Sequence, residues 1–300
     1  MSDLYSKNLG SKDEVKNKPI TFPNQSQDIQ PGFEKLMNPK PIFDNPNYLG
    51  TGKLKDKVAI ITGGDSGIGR AVSIFYAKEG ADIVIVYYNE HDDANETKVF
   101  IENIGRRCLL IPGDLKDEEF CKSVVEQTIS EFNHLDILVN NACVQYPQNS
   151  IEDITAEQLQ NTFQTNIFSM FYLTKAALKH LNFGSTIINT TSVTAYKGNA
   201  TLIDYSATKG AIVTLTKSLA LSLADKGVRV NAVAPGPIWT PLIPASSEGD
   251  KITTFGSDTL MKRAGHPVEL APTYVYLAST DSTYVTGQIL HVNGGEYLST

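Results

Sequence analysis

Tyr205 and Lys209 stand four positions apart in the stretch DYSATKG, residues 204–210. On a helix, residues i and i+4 share a face with Cβ atoms about 5–6 Å apart, so the ammonium can lie close enough to the phenol to favour phenolate. A tyrosine set in this way is a proton carrier. An ordinary tyrosine ionises at about pH 10, and use at neutral pH needs about 4 kcal/mol of phenolate stabilisation, more than one exposed ammonium provides. In a chain with 13 tyrosines such a spacing also arises by chance. The pair therefore gains its meaning from what the rest of the chain brings to the same place.

A second group with chemical potential is the glycine set Gly63, Gly67 and Gly69. The apolar run KVAIIT (57–62) passes straight into TGGDSGIGRAVSIFYAKEG, whose glycines open an amphipathic helical pattern. Glycines let backbone approach a pyrophosphate closely, and the free N–H groups and dipole of a helix N-terminus receive its charge. Strand, glycine turn and helix in that order make Gly63, Asp65, Ser66, Gly67, Ile68 and Gly69 candidate dinucleotide contacts. A 2′-phosphate needs a cationic neighbour, yet neither Asp65 and Ser66 nor Tyr87, Tyr88 and Asn89 after the second strand are Lys or Arg. The acid that ordinarily meets the ribose at that strand end is missing too, with Glu90 two residues late. We expect NAD, with NADP as the alternative.

The elements that must position these groups follow from periodicity. Val- and Ile-rich runs at 57–62, 82–88, 107–113, 135–140, 185–190, 228–235 and 288–293 alternate with helical patterns at about 67–80, 91–104, 117–132, 156–182, 204–225 and 268–279. Continuous apolar runs separated by helices imply βαβ units and a parallel sheet buried on both faces. The expected fold is a single α/β domain of Rossmann type over residues 54–300, with a seven-stranded, doubly wound parallel sheet. Residues 1–53 lack periodicity and are rich in proline, Asn and Gln, yet PGFEKLMNPKPIFDNPNYLG (31–50) keeps several apolar side chains. We expect a disordered leader through about residue 20, then an extended arm docked on this subunit or a neighbour.

Composition narrows the function classes. A formal charge of −7 and a pI near 5.3 argue against nucleic-acid binding, which draws on clustered Lys and Arg. The N-terminus lacks an apolar signal region and no run approaches a membrane span, so a cytoplasmic protein without membrane contact is expected. Three cysteines with no CxxC fit a reducing compartment, with Cys108 and Cys121 as buried bystanders. Five scattered histidines offer no metal-ligand spacing, so no metal site is expected.

Placed on these elements, a series of motifs resembles the short-chain dehydrogenase/reductase family over roughly residues 54–295. They are TGGDSGIG (62–69), GDL (113–115), NNAC (140–143), TNIFS (165–169), TTS (190–192), YSATK (205–209), APGPIWTPL (234–242) and TGQILHVNGG (286–295). The arm and LIDYSATKGAI look like a bacterial subgroup of stress-associated, glucose dehydrogenase-like oxidoreductases. The resemblance implies hydride transfer between a nicotinamide and a small alcohol or carbonyl. Its catalytic set would be Asn166, Ser192, Tyr205 and Lys209: Ser192 bonding the substrate oxygen, Tyr205 exchanging the proton, Lys209 supporting it, and Asn166 holding a relay water. Asp114 and Leu115 would meet adenine, Asn140 and Ala142 the cofactor channel, and Pro235, Gly236, Ile238 and Thr240 the nicotinamide end, with Tyr205 and Lys209 also touching cofactor. Cys143 stands where the family usually has glycine, and we expect a small packed residue there.

Gln145, Tyr146, Val193, Tyr196, Trp239 and Leu242 are expected to wall the substrate site. The irregular stretch 234–256, punctuated by Pro and Gly, reads as a lid. The resemblance also implies a homotetramer paired through helices 156–182 and 204–225. Two rival readings are an enoyl reductase, whose branch resembles a longer Tyr-to-Lys spacing, and a catalytically silent cofactor sensor or scaffold, against which the intact Ser192, Tyr205 and Lys209 speak.

Overall fold

Seven short runs of β-branched residues find each other edge to edge because each is apolar on both faces. In the computed structural model, which describes residues 18–19, 21–247 and 249–298, they form β1 (Val58–Thr62), β2 (Asp82–Tyr87), β3 (Cys108–Pro112), β4 (Ile137–Asn140), β5 (Thr186–Thr190), β6 (Arg229–Pro235) and β7 (Ile289–Val292). All pair in parallel in the order β3-β2-β1-β4-β5-β6-β7. The expected doubly wound α/β sheet is present. Its strand order reverses between β1 and β4, which opens a crevice beyond their carboxyl ends.

Among the described residues, seven helices of eight residues or more cover the sheet: α1 (Gly67–Lys78), α2 (His91–Asn103), α3 (Glu118–Phe132), α4 (Ala156–Phe163), α5 (Ser169–Ala177), α6 (Ile203–Leu223) and α7 (Pro267–Ala278). Alternation along the strands divides the core. Ala59, Ile61, Ile83 and Ile85 pack with α1 and α7, while Val58, Ile60, Val84 and Val86 face α3 and α5. Ile60 is fully buried, so Ile60→Ala would cost about 2–5 kcal/mol through lost burial and the cavity left behind.

The single helix expected over 156–182 is instead two. A π-helical segment, Gln164–Phe168, separates α4 from α5, and α5 ends at Ala177. Periodicity cannot register one widened turn inside an otherwise continuous apolar pattern. The turn carries Asn166, which is fully buried.

The arm is held by side chains at several points from residue 18 to 48. Phe22 and Met37 pack with Trp239, Ile243 and Ile252 in a core of their own. Glu34 is buried against Arg70, the Tyr48 hydroxyl donates to Glu79 Oε1, and Lys18 lies 2.6 Å from Glu269. Of the expected leader, residues 1–17 and 20 lie outside the described residues. Among the described residues, no helix is long and apolar enough to cross a membrane, and no cluster of three or more His, Cys, Asp or Glu could hold a metal ion.

Candidate active site

The glycine turn between β1 and α1 is shaped by contacts that only glycine permits. Gly63 and Gly67 have φ of +62° and +52°. A Cβ on Gly69 would sit 1.9 Å from the Gly63 carbonyl oxygen, so α1 presses directly onto the turn. Thr62 Oγ1 accepts from the N–H groups of Asn141 (2.8 Å) and Ala142 (3.0 Å), tying the end of β1 to the end of β4. Beyond lies a cavity of about 300 Å³, lined by this turn, the ends of β2 and β4, the stretch 240–242 and arm residues Gln30, Pro31 and Gly32.

One of the N–H groups expected to receive phosphate is already used. Gly67 N–H donates to Glu34 Oε2 at 2.7 Å, and Glu34 Oε1 accepts from Arg70 Nη1 at 2.8 Å. The N–H groups of Ile68 and Gly69, in the first turn of α1, have no partner within the helix. Burial pushes the Glu34 carboxyl up to about 7 despite the opposing charge of Arg70.

At the β2 end the cavity meets Tyr87, Tyr88, Asp65 and Glu90. Glu90 is buried, its Oε2 accepting from Asn89 N–H at 3.1 Å while Oε1 has no hydrogen-bond partner among the described residues. Burial, and then the nearby Glu90 charge, pushes the Asp65 carboxyl up to about 7. Arg70 is fully buried and spent on Glu34, Glu96 and the carbonyls of Asp65 and Asp93. An orphaned buried acceptor beside a cradle that no Cβ could enter fits the adenosine end of a dinucleotide.

α6 brings Tyr205 and Lys209 to the inner side of the crevice. Its start is locked by Asp204, whose carboxylate accepts from Tyr205 N–H (2.8 Å), Thr162 Oγ1 (2.9 Å) and Gln158 Nε2 (3.0 Å). The Lys209 ammonium lies 5.3 Å from the Tyr205 ring centroid and donates to the Thr190 carbonyl at 3.0 Å, with Cys143 near enough to act on its charge. Ser192, which pulls the Tyr205 phenol downward, has an Oγ that accepts from Thr194 N–H and Oγ1, both at 3.1 Å.

The expectation that Lys209 favours the phenolate meets an opposing effect of burial. Burial holds Tyr205 well above its usual range, and Ser192 pulls against it. Burial also lowers Lys209, with Cys143 opposing. The protein's own groups therefore keep the phenol protonated, poised as a donor.

The remaining expected site residues divide. Asp114, Leu115, Ala142, Thr240, Tyr146 and Leu242 line the cavity. Asn140 does not: it is buried beneath the crevice, donating through Nδ2 to Asn189 Oδ1, and Asn141 takes the lining position. Pro235, Gly236 and Ile238 lie off the cavity, Gly236 pressed against Asn293 and Ile238 packed into the core. Ser192, Tyr205 and Lys209 are not among the lining residues either. Cys143 stands between them and the cavity, contacting both.

Trp239 corrects the expected substrate wall most strongly. It is fully buried, stacked on Phe22 with Nε1 donating to Pro39 O at 2.8 Å, and anchors the arm instead. Tyr196 stacks on Tyr297, and Val193 is buried. The Asn166 amide is spent on Val144 and Thr208, which leaves no side-chain N–H to hold a relay water. Cys108 and Cys121 are buried, their thiols pushed up to about 12 by burial.

A family model described as enoyl-(acyl carrier protein) reductase matches residues 63–296. The chain belongs to the short-chain dehydrogenase/reductase family. It is 66% identical to the uncharacterised oxidoreductase YhxC of Bacillus subtilis, over 92% of this chain and 96% of that protein. It is 54% identical to NADPH-dependent aldehyde reductase 1, chloroplastic, of Arabidopsis thaliana, over 90% and 96%. Among solved structures it resembles 3-ketoacyl-(acyl-carrier-protein) reductase from Brucella melitensis complexed with NADH, with a TM-score of 0.75 and 31% identity over 82% of this chain and 100% of that one. About a fifth of the chain thus has no counterpart in that structure, while the two curated relatives extend over nine-tenths of it.

Proposed function

We propose that the chain transfers a hydride between a nicotinamide dinucleotide and the carbon of a small carbonyl or secondary alcohol. The observation that carries this reading is the buried trio at the inner end of the crevice: a Tyr205 phenol acted on by Ser192, with the Lys209 ammonium 5.3 Å from its ring. The bound nicotinamide supplies or accepts the hydride and, when oxidised, adds positive charge to the site.

The chain's residues do the rest. Ser192 and Tyr205 meet the substrate oxygen; in reduction the phenol gives its proton to that oxygen, and in oxidation the phenolate takes it back. Lys209, desolvated between the Thr190 carbonyl and Cys143, stabilises the phenolate while it exists. Ile68, Gly69 and the Gly63 turn hold the pyrophosphate, and Asp114 and Leu115 flank the adenine.

For the cofactor we infer NAD. The unpartnered Glu90 Oε1 can accept from a ribose hydroxyl, whereas Asp65 and Glu90 together would repel a 2′-phosphate. The relative named for NADPH argues the other way, and parallel binding titrations with NADH and NADPH decide between them. We also infer a homotetramer, supported by exposed Leu159, Phe168 and Phe171 along the α4–α5 side.

The test is turnover of a panel of aldehydes, ketones, sugars and polyols with each dinucleotide. Oxidation of reduced cofactor by an aldehyde, abolished in Tyr205→Phe, supports the reading; cofactor binding without turnover on any of them supports a sensor instead. The matched model's description favours one second reading, reduction of an enoyl thioester. Crotonyl thioester reduction that survives Tyr205→Phe would select it.

A further inference from the structure

Val144, which lines the crevice, and the next residue, Gln145, are each held by a carboxamide from a distant part of the chain. The Val144 N–H donates to Asn166 Oδ1 and its carbonyl accepts from Asn166 Nδ2, both at 2.9 Å. The Gln145 N–H donates to Gln30 Oε1 at 3.1 Å, and its carbonyl accepts from Gln30 Nε2. Each amide reproduces the two-point hold that a neighbouring strand gives a residue in a sheet. β4 ends at Asn140, so the sheet no longer supplies these bonds.

The same arm residue reaches the lid. Gln30 Nε2 also donates to the Ala245 carbonyl at 3.3 Å, and Gln145 Nε2 donates to Ser246 Oγ at 2.7 Å. Two residues along, a Cβ on Gly32 would fall 2.6 Å from the Pro241 carbonyl oxygen, so arm and lid backbones are in direct contact. On the other side, the Asn166 that holds Val144 also donates through Nδ2 to Thr208 Oγ1 at 3.2 Å, and the Thr208 hydroxyl donates to the Tyr205 carbonyl at 2.7 Å. Arm, wall and proton-transfer groups form one connected series.

We propose that Gln30 is a positioning residue of the active centre: by splinting Gln145 against the arm it fixes residues 143–145 beside Lys209 and Tyr205. Its kinetic consequence rests on the oxidoreductase reading above; its mechanical consequence does not. One neutral hydrogen bond contributes only about 1 kcal/mol to stability. A displacement of about 1 Å at a reacting centre, by contrast, costs up to about a hundredfold in rate. Gln30 makes three such hydrogen bonds, so its loss is expected to register in turnover as well as in folding.

The experiment compares the full chain with Gln30→Met, which keeps length and removes its three hydrogen bonds to Gln145 and Ala245, and Gln30→Glu. Steady-state kinetics with aldehyde and reduced cofactor are read beside amide hydrogen exchange at single-residue resolution. In Gln30→Met, kcat is expected to fall about tenfold or more, with cofactor KM changed less than about threefold. Exchange at the Val144 amide should quicken although its Asn166 partner is untouched. The carboxyl group introduced by Gln30→Glu accepts from Gln145 N–H at any pH, but donates to the Gln145 carbonyl only when protonated. The kcat of this variant relative to the parent should therefore climb as pH falls, a profile that a purely structural contact does not generate. The charged groups on the same cavity, Asp65, Glu90, Asp114 and Lys116, are common to both proteins and cancel in the ratio.

Parent-like kcat and Val144 exchange in Gln30→Met overturn the proposal. If Gln30→Met fails to fold, Gln30→Glu decides alone, a flat kcat ratio across pH counting against the proposal. If the parent turns over no substrate, the functional reading has failed, and exchange at Val144 alone supports or overturns the splint.

Discussion

The indole of Trp239 lies flat on the ring of Phe22, centroids 3.8 Å and planes 9° apart, although 217 positions separate them in the chain. Trp239 is the single tryptophan, so its emission reports on the seating of the arm. Phe22→Ala should red-shift that emission and lower the denaturation midpoint, through a loss of about 3 kcal/mol where the stack sits in a small core. Unchanged emission would mean that the arm does not depend on this contact.

Tyr205→Phe keeps the ring and deletes the proton. Turnover should fall by about 10²–10⁴-fold, the usual contribution of a general acid, with dinucleotide affinity within a few fold of the parent. Stopped assays for the first and cofactor fluorescence for the second separate the two effects. A mutant with parental kcat would remove the phenol from the chemistry.

Cofactor choice should depend on pH in a defined direction. Asp65 has its carboxyl raised to about 7, chiefly by burial, so acidification through that range removes a negative charge from the adenosine end. The ratio of NADPH to NADH affinity is expected to rise between pH 8 and pH 6, and Asp65→Asn should hold it high throughout. A pH-independent ratio in the parent would place the charge elsewhere.

Glu34 links arm docking to pH. Its folded-state value of about 7 lies above the ordinary 4.5, so the folded chain binds the proton more tightly than the unfolded one. The corresponding stability, on the order of 3 kcal/mol, is fully present below about 4.5 and is lost as pH rises through about 7. Glu34→Gln should flatten this part of the stability curve, measured by denaturant midpoint across pH 5–8. A parental slope in the mutant would count against Glu34.

Self-association can be tested at the exposed Phe171. Phe171→Glu should reduce the mass seen by light scattering at micromolar concentration, leaving the circular dichroism intact. A parental mass would move the interface away from α5.

Much of this architecture is legible in the sequence. Each strand carries its own apolar run, and the glycine turn and the Tyr205–Lys209 pair lie within single elements, where spacing alone fixes geometry. What escapes are partnerships across sequence distance. Nothing near Trp239 announces Phe22, and a tryptophan in a Pro-rich loop reads equally well as a site wall. Asn140 and Asn141 are indistinguishable until β4 decides which side chain faces the crevice. Asn166 reads as a ligand for water because its side-chain capacity is consumed by Val144 only once the π-helical segment forms. Gln30 carries no periodic or motif signal; its role exists only where the arm crosses residue 145.

Because the amide that grips Gln145 comes from the arm, replacing that one side chain while Phe22, Met37 and Glu34 stay seated would separate two properties usually lost together. The pleated scaffold, with its nucleotide cradle, retains its own packing and should still fold. What would go is the alignment of one edge of the reaction chamber, leaving a shell that captures its coenzyme yet turns over slowly.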